Sequence, residues 1–184
     1  PVAAFGKHEH IRRLYSLDKA LTKEELEAFG ERIGKIDPRP VEYTVEYKFD
    51  GLTVCLTYEG GKFKGAATRG NGVVGEDVTA QVLTVKSFPL TVDYSGVLEV
   101  QGEAIMRLSA LKKYNETAAE PLKNARNAVA GAIRNLDPKV TAARRLDIMF
   151  YNVNYMSSGT LKSQTDCVEF LKAHGFKVHP FLRV

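Results

Sequence analysis

Between residues 52 and 58 the chain alternates strictly, with Leu52, Val54, Leu56 and Tyr58 on one parity and Thr53, Cys55 and Thr57 on the other. A period of two over seven residues is the mark of a strand with two distinct faces. Glu59-Gly60-Gly61 then turns the chain into a second strand ending near Thr68. Ahead of this hairpin, residues 22–35 read as a helix. Thr22 and Glu25 form a capping box, and Leu26, Phe29 and Ile33 line one face. Asp37-Pro38-Arg39-Pro40 ends that helix as a short linker. After the hairpin, Arg69 to Gly75 is a glycine-rich loop, and a short helix is predicted from about Glu76 to Leu83. Residues 97–106 predict another strand, and Leu108, Leu111 and Tyr114 a helix after it. A further helix over 124–135 is stopped by Asp137-Pro138. Leu146 to Val153 is a strand, and Val168, Phe170 and Leu171 mark a last helix closed by Gly175. Residues 176–183 alternate once more. Hairpins and helices mix without regular strand-helix-strand spacing, so the fold class is α+β with largely antiparallel sheet.

Composition narrows the class without naming it. A length of 184 residues, 44% hydrophobic and 26% charged, fits one generous domain with a core of its own. Lys and Arg outnumber Asp and Glu by 26 to 22, a formal charge of +4 that suits a phosphate-bearing partner. Cys55 and Cys167 lack metal-ligand spacing and read as buried or half-buried free thiols. His8 and His10 are spaced to share a metal, but an exposed polar N-terminal stretch is the expectation, and no metal ligands are assigned. With no signal peptide and no apolar span, the expected location is cytoplasmic.

The chemistry centres on Lys48 in Glu46-Tyr47-Lys48-Phe49-Asp50-Gly51, at the end of an apolar strand-like run. A lysine amine is a nucleophile only where burial or neighbouring cations disfavour its ammonium form. Glu46 and Asp50, each two residues away, act in the opposite sense. A divalent cation or other local positive charge is needed to offset them, or the trio is a structural ion pair. Arg69 opens the glycine loop, where small residues allow backbone N–H groups to approach a phosphate, or else the loop is simply a long turn with an exposed arginine. Glu99, Gln101 and Glu103 share one strand face, suited to binding ribose hydroxyls or a metal, or else simply solvated. Arg126 and Arg134 lie eight residues apart on a helix rich in Ala and Gly, so both project over a low surface that suits a phosphodiester, or the helix simply packs with both arginines exposed. Met149-Phe150-Tyr151 places aromatics on both faces of its strand, one of them available to stack on a base.

In this order the motifs resemble those of the adenylation, or nucleotidyltransferase, domain of bacterial-type NAD-dependent DNA ligases. Tyr15-Ser16-Leu17-Asp18 is similar to the family's Met-Leu-Ser-Leu-Asp-Asn segment, and Glu46 to Gly51 to its nucleotidyl-transfer motif. Ala67-Thr68-Arg69-Gly70-Asn71-Gly72 and Gly75 to Thr79 match a long family-specific stretch. Leu98-Glu99-Val100-Gln101-Gly102-Glu103 matches a Leu-Glu-Val-Arg-Gly-Glu strand, and Asn124 to Pro138 a block beginning Asn-Pro-Arg-Asn. The resemblance implies that Lys48 takes AMP from NAD as a lysyl-AMP intermediate, with magnesium, for sealing nicks in duplex DNA. It implies a nucleotide site of Ser16, Leu17, Glu46, Asp50, Arg69, Glu103 and Tyr151. Arg126 and Arg134 would meet the reacting phosphate or the DNA. Residues 1–40 are then expected to be a helical lead-in carrying part of the nucleotide site, and 41–184 the adenylation core, incomplete at its C-terminal end.

Departures accompany the match. Asn71 stands for the usual Asp, Gln101 for the usual Arg, and Lys7-His8-Glu9-His10 is atypical. The later catalytic lysines, the nicotinamide-capturing helical region and the DNA-binding regions of the family fall outside the chain. The expectation is a fragment, or one subunit of a divided ligase, that needs those regions in cis or in trans and does not seal DNA alone. A non-catalytic nucleotide- or DNA-binding scaffold and an ATP-using RNA ligase or capping-type enzyme are the alternatives.

Overall fold

The structure, a computed structural model, describes residues 4–184. In chain order the elements are β1 (Lys7–Glu9), α1 (Lys23–Ile36), β2 (Thr44–Val45), β3 (Leu52–Glu59), β4 (Lys62–Thr68), β5 (Val74–Glu76) and α2 (Thr79–Val82). They continue with β6 (Val97–Ile105), α3 (Leu108–Asn115), α4 (Ala125–Ile133), α5 (Pro138–Arg144), β7 (Asp147–Met156), α6 (Gln164–Ala173) and β8 (Leu182–Arg183). The α+β class with antiparallel sheet is what the sequence predicts: a four-stranded sheet in the order β4-β3-β6-β7, plus the two-stranded pairs β1-β5 and β2-β8, all antiparallel.

The sheet's two faces follow from the alternation in β3. Val54, Leu56 and Tyr58 stand opposite Gly102, Val100 and Leu98 of β6. Apart from Gly102 these are fully buried, beneath Val78 and Val82 of the α2 region and Ala128, Val129, Ala132 and Ile133 of α4. Each such Leu or Val removed from water stabilises the fold by about 1.5–3 kcal/mol. The other parity pairs Thr53 with Glu103, Cys55 with Gln101 and Thr57 with Glu99. This polar face is covered at its Glu99 end and open at its Glu103 end. Glu99 is fully buried and Gln101 nearly so, because the N-terminal segment crosses it: the Leu14 amide bonds the Gly72 carbonyl and the His10 amide the Val73 carbonyl.

Several expectations change. Glu76 belongs to strand β5 rather than a helix, and only Thr79–Val82 is helical; β5 exists because β1, which no periodicity announces, pairs with it. Asp137-Pro138 does not simply stop α4. Asp137 caps α5 by accepting the Lys139 amide, with Pro138 in the first turn, where a missing N–H costs nothing. The run before Lys48 pairs only over Thr44–Val45, and the alternation of 176–183 yields only Leu182–Arg183. In α1, Thr22 caps as expected, but Glu25 reaches the Leu21 amide instead of closing a box. The Leu26, Phe29 and Ile33 face buries nothing completely.

Candidate nucleotide-binding cleft

The polar face of the sheet is the floor of a cleft of about 840 Å³, within the range that takes a drug- or nucleotide-sized ligand. Its lining is drawn from distant parts of the chain, among them Ser16 and Leu17, Glu46 and Lys48, Arg69, Glu103, Arg126 with Arg134, and Tyr151. Lys48 lies in the irregular segment between β2 and β3. Gly51 ends that segment pressed against β6. A Cβ there would stand 1.9 Å from the Ala104 carbonyl oxygen, so only glycine lets the Lys48 segment cross the strand so closely.

Glu103 anchors the crossing. Its carboxylate accepts the Gly51 amide at 3.1 Å and the Thr53 hydroxyl at 2.9 Å. Burial raises its pKa, opposed in part by those two bonds and by the charges of Lys48 and Arg126. Tyr151 reaches the floor through a bulge: Gln101 faces Asn152 and Gly102 faces Phe150, so Tyr151 is the extra residue of β7. A bulge re-aims a side chain in this way, and Tyr151 and Asn152 in succession both line the cleft. Burial, then the Glu103 charge, pushes the Tyr151 phenol up to about 12, so it stays neutral and able to donate. Gln164, first residue of α6, bonds the Tyr151 carbonyl at 2.9 Å and the Glu46 carboxylate at 3.4 Å, which fixes one wall.

Across the cleft, Arg69 donates to the Ser16 hydroxyl at 2.8 Å, and Leu17 stands beside them, largely exposed. The glycines after Arg69 are not an open phosphate cradle. Gly70, at φ +57, would put a Cβ 1.9 Å from the Val74 carbonyl oxygen. The loop is closed on itself and on the N-terminal segment, and the side chain of Arg69 carries whatever it offers a phosphate. On α4, Ala128 and Ala132 face the core, while Ala130 and Gly131 keep the surface between Arg126 and Arg134 low, as the spacing predicts.

Of the predicted site residues, Ser16, Leu17, Glu46, Lys48, Arg69, Glu103, Tyr151, Arg126 and Arg134 line the one cleft; Asp50 does not. Asp50 is mostly exposed and forms an ion pair with Arg126, whose pKa the pairing raises. The carboxylates flanking Lys48 are therefore met by protein groups, Asp50 by a guanidinium and Glu46 by Thr44 and Gln164. The excess negative charge read from the sequence is smaller than spacing alone implies. The lining also includes residues that no sequence motif marks, among them Arg13, Thr44, Asn152, Asn154 and Gln164. The capping box of Ser163 and Asp166 at the start of α6 is the signal that could have pointed to Gln164. Nothing local foretells the bulges that aim Asn152 and Asn154. His10 departs from the expected exposed stretch, with 8% of its surface exposed beneath the Thr68–Arg69 backbone.

Among the described residues no helix is long and apolar enough to cross a membrane. The family model for the NAD-dependent DNA ligase adenylation domain matches residues 2–184. A DNA ligase of Alkaliphilus metalliredigens is 50% identical over 185 residues, a match covering 100% of this chain and 28% of that protein. One from Finegoldia magna is 47% identical, covering 98% of this chain and 29% of its own length. One from Clostridium perfringens is 44% identical, covering 97% and 29%. The chain thus spans less than a third of the length of the curated relatives it matches. It belongs to the family of NAD-dependent DNA ligase adenylation domains.

Proposed function

We propose that this chain carries out the nucleotidyl-transfer step of a DNA ligase, with Lys48 as the group that accepts AMP from NAD. The observation that carries the reading is that Lys48, Glu103, Tyr151, Arg69, Arg126 and Arg134 line one cleft of nucleotide size. Lys48 Nζ attacks the α-phosphorus of NAD. The N–P bond forms as the bond to the nicotinamide mononucleotide oxygen breaks, that oxygen keeps the electron pair, and the amine gives up a proton. Glu103 holds the ribose hydroxyls, Tyr151 stacks on the base, and Ser16 and Leu17 close over the nucleotide from the N-terminal segment. Glu46 borders the adenine, and Arg69 binds the phosphates. Asp50 acts from outside the cleft by orienting Arg126 through their ion pair.

Arg126 and Arg134 flank the reacting phosphate and then the phosphate backbone of nicked duplex DNA. In the division that follows, residues 1–40 supply part of the nucleotide site and 41–184 the catalytic core. Magnesium fits this donor set only in its usual role of binding substrate phosphates with one or two carboxylates. Glu46 and Glu103 are the carboxylates lining the cleft, and each already accepts protein hydrogen bonds. When bound there, the ion offsets phosphate charge.

The test is intact mass after incubation with NAD and magnesium, with and without a nicotinamide-binding helical region added in trans. A gain of one AMP that Lys48→Ala abolishes supports the reading. No adduct under either condition overturns it in favour of a nucleotide-binding scaffold. Sealing needs further regions, in cis or in trans; multiple-turnover sealing of nicked DNA by the purified chain alone would contradict that part.

A further inference from the structure

We propose that His8, His10 and Glu99 form a binding site for a transition-metal dication of the zinc class, outside the nucleotide cleft. The ligand atoms of the three side chains all lie within 4.8 Å of one another. His8 and His10, two apart at β1, point to the same side, with their ring centroids 5.6 Å apart. Glu99 comes up to meet them from the polar face of β6.

The state of His10 is what calls for an ion. Its Nε2 lies 3.1 Å from the carbonyl oxygens of both Thr68 and Arg69. Carbonyls only accept, so Nε2 carries a proton and Nδ1 is the atom left over. Nδ1 is buried without a hydrogen-bond partner and faces the Glu99 carboxylate across 4.0 Å, both side chains being fully enclosed. An unmet nitrogen beside a buried carboxylate is a costly arrangement. The gap is too long for a hydrogen bond. It suits a shared ion, because zinc sits about 2.0–2.2 Å from each nitrogen and oxygen ligand.

The surroundings match those of a metal centre. A ligating imidazole donates its other N–H to a backbone carbonyl or a carboxylate, and ligating carboxylates are themselves hydrogen-bonded. His10 does the first. Glu99 does the second, accepting from the Ile11 amide at 3.4 Å and from Asn154, the extra residue of the second β7 bulge. Two imidazoles and one carboxylate leave a fourth position for water, and His8, half-buried, marks the side open to solvent. A bound ion cross-links the N-terminal strand to the sheet. It also fixes the carbonyls of Thr68 and Arg69 through His10, beside the arginine that lines the cleft.

The experiment is a competition titration of Zn²⁺ against a chromophoric chelator on the metal-stripped 184-residue chain, paired with the absorption spectrum of the Co²⁺ form. We expect one equivalent bound tightly, a visible Co²⁺ d–d band, and a rise in melting temperature on adding Zn²⁺. His8→Ala leaves the buried pair intact, so it folds; it should weaken zinc binding at least tenfold and abolish the thermal shift. His179→Ala, which removes a ring packed against Tyr47 at 4.4 Å between centroids, should change neither. Failure to bind a stoichiometric equivalent overturns the site. So does a zinc affinity that is the same in His8→Ala as in the parent chain.

Discussion

The sheet with α4 and the clasp formed by α1, β2 and β8 are built on opposite terms. In the sheet, Val54, Leu56, Tyr58, Leu98 and Val100 are all fully buried, and β6 is paired on both sides from Leu98 to Ala104. In the clasp, α1 contains no buried residue, Leu26 is 60% exposed, and β2 meets β8 over two residue pairs only. Helix α1 is held by its own caps and charges, including the exposed Lys23–Glu27 pair. The cleft takes its floor from the first region, and the clasp leads directly into Lys48. A rigid floor beside a lightly packed lead-in is what a site needs if it must open and close around a ligand.

The largest effect should separate the two regions outright. Leu98→Ala empties a fully enclosed position and should destabilise the chain by about 2–5 kcal/mol. Leu26→Ala, the same chemical change in α1, should stay within about 0.5 kcal/mol. Urea denaturation of the two variants checks this. Equal losses would mean that α1 packs far more tightly than its exposure indicates.

A second substitution acts at the join. Gly51→Ala sets a methyl group against the Ala104 carbonyl at a separation no real contact shows. Backbone cannot give way as a flexible side chain does, so the segment carrying Lys48 must move off β6. Overpacking of this kind destabilises by about 1–3 kcal/mol. A displacement of about 1 Å at a reacting group lowers the rate roughly a hundredfold. Single-turnover adenylation, compared with the parent chain under identical conditions, measures it. An unchanged rate would show that the Lys48 segment is not held by the Gly51–Ala104 contact.

The same contrast explains how much the sequence disclosed. Where local pattern and tertiary burial agree, the reading was sound: β3, β4, β6, α4 and α6 follow from alternation, capping residues and glycine stops. Where structure depends on a distant partner, the reading failed. Strand β1 pairs with β5 67 residues later, with His8 opposite Gly75, and neither stretch has a period of its own. Glu99 and Glu103 have the same parity on one strand, so sequence placed both on a solvated or ligand-binding face. One is buried under the N-terminal segment and the other looks into the cleft. Spacing sets Asp50 beside Lys48, two residues away, yet its side chain pairs with Arg126, 76 residues on. The chemistry of the cleft was legible as a set of residue types; which carboxylate meets which cation was not.

The smallest effect tests whether the C-terminal segment belongs to the sheet or to the clasp. The Phe150 amide bonds the Lys177 carbonyl at 2.8 Å, and the Lys177 ammonium bonds Asp147 at 2.9 Å, with Arg107 on the same carboxylate. Burial raises the Asp147 pKa, but the bonds and charges of Lys177 and Arg107 together outweigh it and hold the carboxyl below its ordinary value of 3.8. Because the unfolded chain binds this proton more readily, the pairing contributes fully above that ordinary value and is lost as the pH falls through the lower, folded one. Both cations are partly exposed, so Asp147→Asn should lower stability near neutral pH by only about 1 kcal/mol or less. The difference between the two chains should then shrink below about pH 4, where the parent loses the charge the variant never had. Urea midpoints across that range decide the matter. A gap that persists undiminished into acid would assign the loss to packing at the start of β7. A gap that closes shows the Lys177 segment held to the edge of β7 by charge, where the clasp beyond it is held by two residue pairs.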